Sequence, residues 1–157
     1  MTNLFAKETV FISEALTQND VFVEVAQALL EHGLVTEEFL SNLVEREKQY
    51  PTGLPLAPID ERLPNVAIPH TESSFVNQTR IVPVKLKHPL IFHNMIVPDE
   101  ELQVSFLFMI LNHDESEQSG LLAQIMDFVN RQNVEDLVEF FSFESVEEVY
   151  HYLEKNF

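Results

Sequence analysis

Cysteine is absent from the 157 residues, so nucleophilic and acid–base chemistry falls to histidines and carboxylates. Thiolate zinc sites, iron–sulfur clusters and disulfides are excluded in the same step. Six histidines occur, at positions 32, 70, 88, 93, 113 and 151. His70 stands apart by context. It ends the apolar run Val66-Ala67-Ile68-Pro69, so a short strand delivers its ring to the rim of a sheet, where open α/β folds bind ligands. Pro69 fixes the backbone just before the ring, and Thr71 and Glu72 follow. A pre-oriented imidazole at such a rim suits nucleophilic work; the plainer alternative is a packed strand-end histidine. His32 falls at a helix C-terminus, where it suits the macrodipole, and His151 lies within a helix. His88 and His93 flank Pro89-Leu90-Ile91-Phe92, a spacing that matches no helical metal pair and lacks a third ligand, so no metal site is expected. His113, beside Asp114 and Glu115, reads as a solvated turn residue.

The elements that must position these residues are legible from hydrophobic spacing. Phe22, Val25, Ala26, Leu29 and Leu30 form one helical stripe, with Asn19 or Asp20 as cap and Gly33 as stop. A second helix follows, capped by Thr36, burying Phe39, Leu40, Leu43 and Val44, and stopped by Pro51. Five prolines and glycines between Pro51 and Pro64 predict an irregular loop, of a length that is often functional. Strand-like runs follow at Asn65–Ile68, Arg80–Leu86 and Leu102–Leu111, with a weaker one at Thr9–Ile12. The near-continuous apolar run from Val104 to Leu111 predicts a central strand covered on both faces. Lys85, Lys87 and Pro83 place Arg80–Leu86 towards a sheet edge. Helices are expected again over Gln118–Asn130, after Asn133, and after Ser145, which has Glu148 three residues on. The pattern predicts an α/β fold, a three-layer α/β/α sandwich with a mixed sheet flanked by helices, in a single domain spanning residues 1–157.

Nine Lys and Arg against 26 Asp and Glu give a net charge of −17, which repels phosphate backbones and anionic lipid; no nucleic-acid partner is expected. No stretch approaches the roughly 20 apolar residues of a membrane span, and Met1–Val10 does not read as a secretory signal. A soluble, cytoplasmic protein is expected.

Asn65-Val66-Ala67-Ile68-Pro69-His70-Thr71-Glu72 resembles the active-site segment of the enzyme IIA domains of the bacterial sugar phosphotransferase system, in the fructose–mannitol superfamily. Val44-Glu45-Arg46-Glu47 and Pro51-Thr52-Gly53-Leu54 resemble that family's arginine and Thr-Gly stretch, and His88-Pro89-Leu90-Ile91-Phe92-His93-Asn94-Met95 a further segment. Ile-Pro-His-Thr-Glu and Pro-Thr-Gly-Leu are most similar to the galactitol-specific branch. The resemblance runs from about Val10 to the C-terminus.

The resemblance implies a phosphotransferase component that needs no cofactor. His70 matches the histidine that accepts a phosphoryl group from the phosphocarrier protein HPr and passes it to the IIB component, with a membrane IIC component associated indirectly. Arg46 matches an arginine that helps neutralise the phosphoryl group. Mannitol-type members carry a second active-site histidine at the start of the helix after the central strand, and alignment puts Gln118 there, with His113 a few residues upstream. Gln118 donates a hydrogen bond in its place, or His113 reaches in, or the galactitol-like branch does without. In this superfamily Nε2 attacks, so Nδ1 must donate to a local acceptor: Thr71 Oγ1, Glu72 or a backbone carbonyl. The acidic net charge favours the non-attacking imidazolium, so a local cation, for which Arg46 is the candidate, must offset it. A free-standing regulatory IIA-like protein is the alternative within the same resemblance.

Overall fold

The computed structural model describes residues 4–157, the side chains of residues 117–119 excepted. Its strands are β1 (Phe11–Ser13), β2 (Gly53–Pro55), β3 (Asn65–Ala67), β4 (Arg80–His93) and β5 (Glu101–Leu111). They form one mixed sheet in the order β1-β4-β5-β3-β2. The β1–β4 and β3–β5 pairs are parallel, and the β4–β5 and β2–β3 pairs antiparallel. The helices are α1 (Gln18–Glu31), α2 (Phe39–Gln49), α3 (Gln118–Arg131), α4 (Val134–Ser142) and α5 (Val146–Asn156).

The expected three layers are present. Alternate side chains of β5 enter two cores: Leu107, Met109 and Leu111 join α1 and α2, while Phe106, Phe108 and Ile110 join α3, α4 and α5. The second core is aromatic. Phe140 is fully buried, with ring centroids 5.4 Å from Phe106, 5.9 Å from Phe128 and 5.0 Å from Tyr152.

Local signals worked where side chains reach only their own turn. Asn133 Oδ1 accepts the Glu135 N–H at 2.8 Å, and Ser145 Oγ the Glu148 N–H at 3.4 Å. Gly33 closes α1 at φ 70°, the left-handed conformation that disfavours a Cβ. The cap of α1 is Thr17, whose Oγ1 accepts the Asp20 N–H at 3.0 Å, rather than Asn19 or Asp20. Thr36 does not cap α2 with its side chain: its Oγ1 is buried without a hydrogen bond, and α2 begins at Phe39.

Three expectations about the strands are corrected. The segment expected as an edge strand is interior: β4 runs on to His93 and lies between β1 and β5. Pro83 is tolerated because β1 pairs only from Val84 onward, so no partner on that side asks for its missing N–H. Exposed Lys87, His88 and Pro89 mark the register shift between Lys85 and Leu90 rather than a sheet edge. The loop between Pro51 and Pro64 contains the true edge strand β2, and the weak strand at Thr9–Ile12 divides into a 3₁₀ turn at Lys7–Thr9 and β1.

Candidate functional site

His70 lies just past the end of β3 and extends its pairing with the central strand. The Pro69 carbonyl accepts the Ile110 N–H at 3.0 Å, and His70 pairs with Ile110 as an isolated parallel bridge. The ring is half-buried, and its Nδ1 lies 2.9 Å from the Ile68 carbonyl oxygen. A carbonyl only accepts, so Nδ1 carries the proton and Nε2 keeps the lone pair. Of the acceptors open to the sequence, the backbone carbonyl is the one used. Thr71 is buried and its Oγ1 donates to the Glu72 carbonyl at 2.9 Å.

The second half of the site comes from the last turns of α2. Asn42 and Arg46, one helical turn apart, face the segment after His70: Asn42 Oδ1 accepts the Glu72 N–H at 3.1 Å, and the Arg46 guanidinium lies 3.9 Å from the Glu72 carboxylate. Arg46 also stacks over the Tyr50 ring at 5.3 Å and keeps 28% of its side chain exposed, so its charge faces a wet rim. Burial, and secondly the Arg46 charge, hold the His70 pKa below its ordinary value against the raising effect of the Ile68 hydrogen bond. Local placement therefore works against the acidic net charge and favours the neutral ring.

His113 sits past the end of β5, exposed, with Nδ1 2.8 Å from the Val76 carbonyl oxygen and its backbone N–H donated to Thr79 Oγ1 at 3.1 Å. Among the described residues no hydrogen bond joins it to His70. Gln118 is the first residue of α3, and its side chain lies outside the described residues. Val76 is core, while Phe75 and Leu54 are half-buried against the two cores, so all three pack inward. His88 is exposed, and His93 Nδ1 faces the Pro98 carbonyl oxygen at 2.8 Å. Among the described residues no three His, Asp or Glu side chains converge as a metal set would.

Sequence reasoning gave no role to Glu47, which is buried at 5% exposure behind the site. Its Oε2 accepts the Thr52 N–H at 2.7 Å and its Oε1 the Thr52 hydroxyl at 2.8 Å. Burial raises its pKa to about 7, although the Thr52 bonds and attraction to His93 pull the other way. The signal for it was present: Phe39, Leu43 and Glu47 are spaced i, i+4, i+8, so a carboxylate occupies the buried stripe of α2. Glu47, Lys48 and His93 border a cleft of about 430 Å³ with Gln18 and Ile91.

The family model described as "Phosphoenolpyruvate-dependent sugar phosphotransferase system, EIIA 2" matches residues 3–156. The transcriptional regulator ManR of Bacillus subtilis (strain 168) is 26% identical over 112 residues, which is 71% of this chain and 15% of that protein's length. Enzyme IIAMTL of Escherichia coli, solved with phosphorylated enzyme IIBMTL, has the same fold: TM-score 0.72 at 19% identity, over 96% of this chain and 97% of that chain. The nitrogen regulatory protein IIA-Ntr of Neisseria meningitidis shares it too, with TM-score 0.65 at 20% identity over 96% of each chain.

Proposed function

Because the chain belongs to the EIIA 2 family of the phosphoenolpyruvate-dependent sugar phosphotransferase system, we propose that it is a phosphocarrier with His70 as the phosphorylated residue. The observation that carries this is the half-buried imidazole whose Nδ1–H is tied to the Ile68 carbonyl, leaving Nε2 with its lone pair, on a ring that feels the Arg46 charge. In the forward step, Nε2 attacks the phosphorus of phospho-HPr. The donor's P–N bond breaks and its electron pair returns to the donor ring. The product ring at His70 gains positive character, which the Ile68 carbonyl stabilises through Nδ1–H. Arg46 spreads the charge of the phosphoryl oxygens while they move, the main requirement of such transfers. The second step repeats the displacement with a IIB component as acceptor, in line with the phosphorylated IIBMTL bound to the E. coli structural relative.

Residues 1–157 act in this reading as one IIA-like domain in the cytoplasm, serving a membrane IIC component through IIB. Among the described residues no helix is long and apolar enough to cross a membrane itself. The Ile-Pro-His-Thr-Glu and Pro-Thr-Gly-Leu segments favour a galactitol-like polyol or sugar system. A regulatory rather than transport role, which a free-standing IIA-like protein would also serve, is the second reading, favoured by the likeness to ManR and to IIA-Ntr.

The test is phosphate transfer from phosphoenolpyruvate through enzyme I and HPr, read by intact mass on wild type and His70→Ala. One acid-labile phosphoryl group on wild type alone is expected. A wild type left bare by phosphorylated cognate HPr would overturn the reading. Onward transfer to a cognate IIB then separates transport from signalling.

A further inference from the structure

Glu47 is a buried carboxylate that the proposed transfer does not use, yet hydrogen bonds and the backbone of Ile68 link it to the site. The Thr52 hydroxyl donates its one hydrogen to Glu47, so its lone pairs are left for the Ile68 N–H, which they accept at 3.2 Å. The Thr52 carbonyl shares that N–H, also at 3.2 Å. The other end of Ile68 is the carbonyl that holds His70 Nδ1 at 2.9 Å. Thr52 and Ile68 continue the β2–β3 ladder one step beyond the Gly53–Ala67 pair, so Glu47 ties α2 to the end of that ladder.

We propose that Glu47 is a positioning residue for His70: through Thr52 and the backbone of Ile68 it fixes the orientation of the imidazole and its Nδ1–H tautomer. The ionised carboxylate is an acceptor for both Thr52 donors at once, so every bond in that link points one way. A negative end makes Thr52 Oγ1 a stronger acceptor for the Ile68 N–H, and that grip holds the Ile68 backbone, and with it the carbonyl facing His70 Nδ1, in place. Protonation reverses this. A neutral carboxyl must donate its own hydrogen, Thr52 Oγ1 is the acceptor beside it, and the grip on the Ile68 N–H slackens. The charged or titratable groups bordering the same cleft are His93, from β4, and Lys48, the next residue of α2; Gln18 from α1 brings no charge.

The inference rests on the phosphocarrier reading for its effect on transfer, but the tautomer is measurable without it. The experiment is long-range ¹H–¹⁵N NMR of the His70 ring from pH 5 to 9 on wild type, Glu47→Gln and Thr52→Val. Transfer from phospho-HPr is timed on the same samples. In wild type above pH 7 the ring shows the single Nδ1–H form. It loses that purity as pH falls through about 7, where Glu47 takes its proton. In Glu47→Gln the tautomers are mixed at every pH, and the maximal transfer rate drops about tenfold to a hundredfold with little change in the HPr concentration needed. Thr52→Val, which keeps Glu47 and its bond from the Thr52 N–H but removes the hydroxyl that links it to the Ile68 N–H, gives the same mixing and decides the matter should Glu47→Gln fail to fold. Either folded variant with an unmixed His70 ring and the wild-type pH profile would overturn the proposal. Tautomer mixing in a protein that takes no phosphate from any cognate HPr would leave Glu47 a positioning residue and remove the carrier reading instead.

Discussion

At the scale of single residues, the question is how an imidazole stays neutral and aimed in a chain of net charge −17. The answer is short-ranged. Burial disfavours the imidazolium, the Arg46 charge adds to this, and the Ile68 carbonyl selects the tautomer. In the proposed transfer Arg46 thus has two effects, one on the ring's protonation and one on the phosphoryl oxygens. We expect Arg46→Ala to slow phosphorylation of His70 about a hundredfold, a size typical of a lost charge-stabilising donor. The same variant should raise the His70 pKa, read by NMR titration, while costing no more than about 1 kcal/mol of stability, because the ion pair with Glu72 is long and partly exposed. Normal transfer kinetics in the folded variant would remove Arg46 from the mechanism. His70 was legible in the sequence because an apolar run ending in Pro-His marks a strand end by itself. Its Nδ1 acceptor was not, because three groups compete within two residues of the ring and only the folded backbone selects among them.

At the scale of elements, the site is assembled where three segments end: the last turn of α2, the β2–β3 ladder, and the C-terminal end of β5. The Thr-Gly pair at 52 and 53 holds the first two together. Gly53 donates no side chain to the site. It lets the end of β4 come close, since a Cβ there would lie 2.5 Å from the His93 carbonyl oxygen, and its own carbonyl accepts the Met95 N–H at 2.7 Å. A backbone atom has no rotamer by which to yield. Gly53→Ala is therefore expected to destabilise the protein by about 1–3 kcal/mol, the usual range for overpacking, and to slow transfer at His70 by displacing Thr52. Thermal unfolding and phosphorylation rates, measured together, check this; a wild-type melting temperature would show that β2 and β4 can part freely. β2 escaped the sequence reading because three residues among prolines carry no periodicity. β4 was placed at an edge because lysine and proline signal an edge locally, whereas the partner strands that cover it are set by distant pairing.

On the scale of the whole molecule, stability and the candidate site are linked through Glu47. Its pKa rises from an ordinary 4.5 to about 7 on folding, so between those values the folded state holds a proton that the unfolded state has lost. Stability from this group is therefore full below about pH 4.5 and falls as pH rises to about 7. At about 1.4 kcal/mol per unit, the loss is about 3 kcal/mol. The depressed His70 acts in the opposite sense, because the unfolded chain protonates first near its ordinary value of 6.5. Denaturant unfolding at pH 5 and pH 8 on wild type and Glu47→Gln isolates the carboxylate. Glu47→Gln should remove a decline of that order, and equal slopes in the two proteins would show that Glu47 ionises freely in the fold. Asp60 and Asp114, both held below the ordinary value by hydrogen bonds, from Arg62 and Ser116 respectively, contribute only in acid below this window. By itself the sequence determined what repeats at short range. Helical stripes, the two-sided run of β5, the absence of thiol chemistry and the strand-end histidine all depend on neighbours within about a turn or two. Tertiary structure decided what depends on chain segments far apart: the strand order, the edge at β2, the Ile68 carbonyl as the partner of His70, and the burial of Glu47 against Thr52. A carboxylate in an apolar stripe is visible in the sequence, but what it holds is a matter of which ladder ends beside it, and no local spacing encodes that.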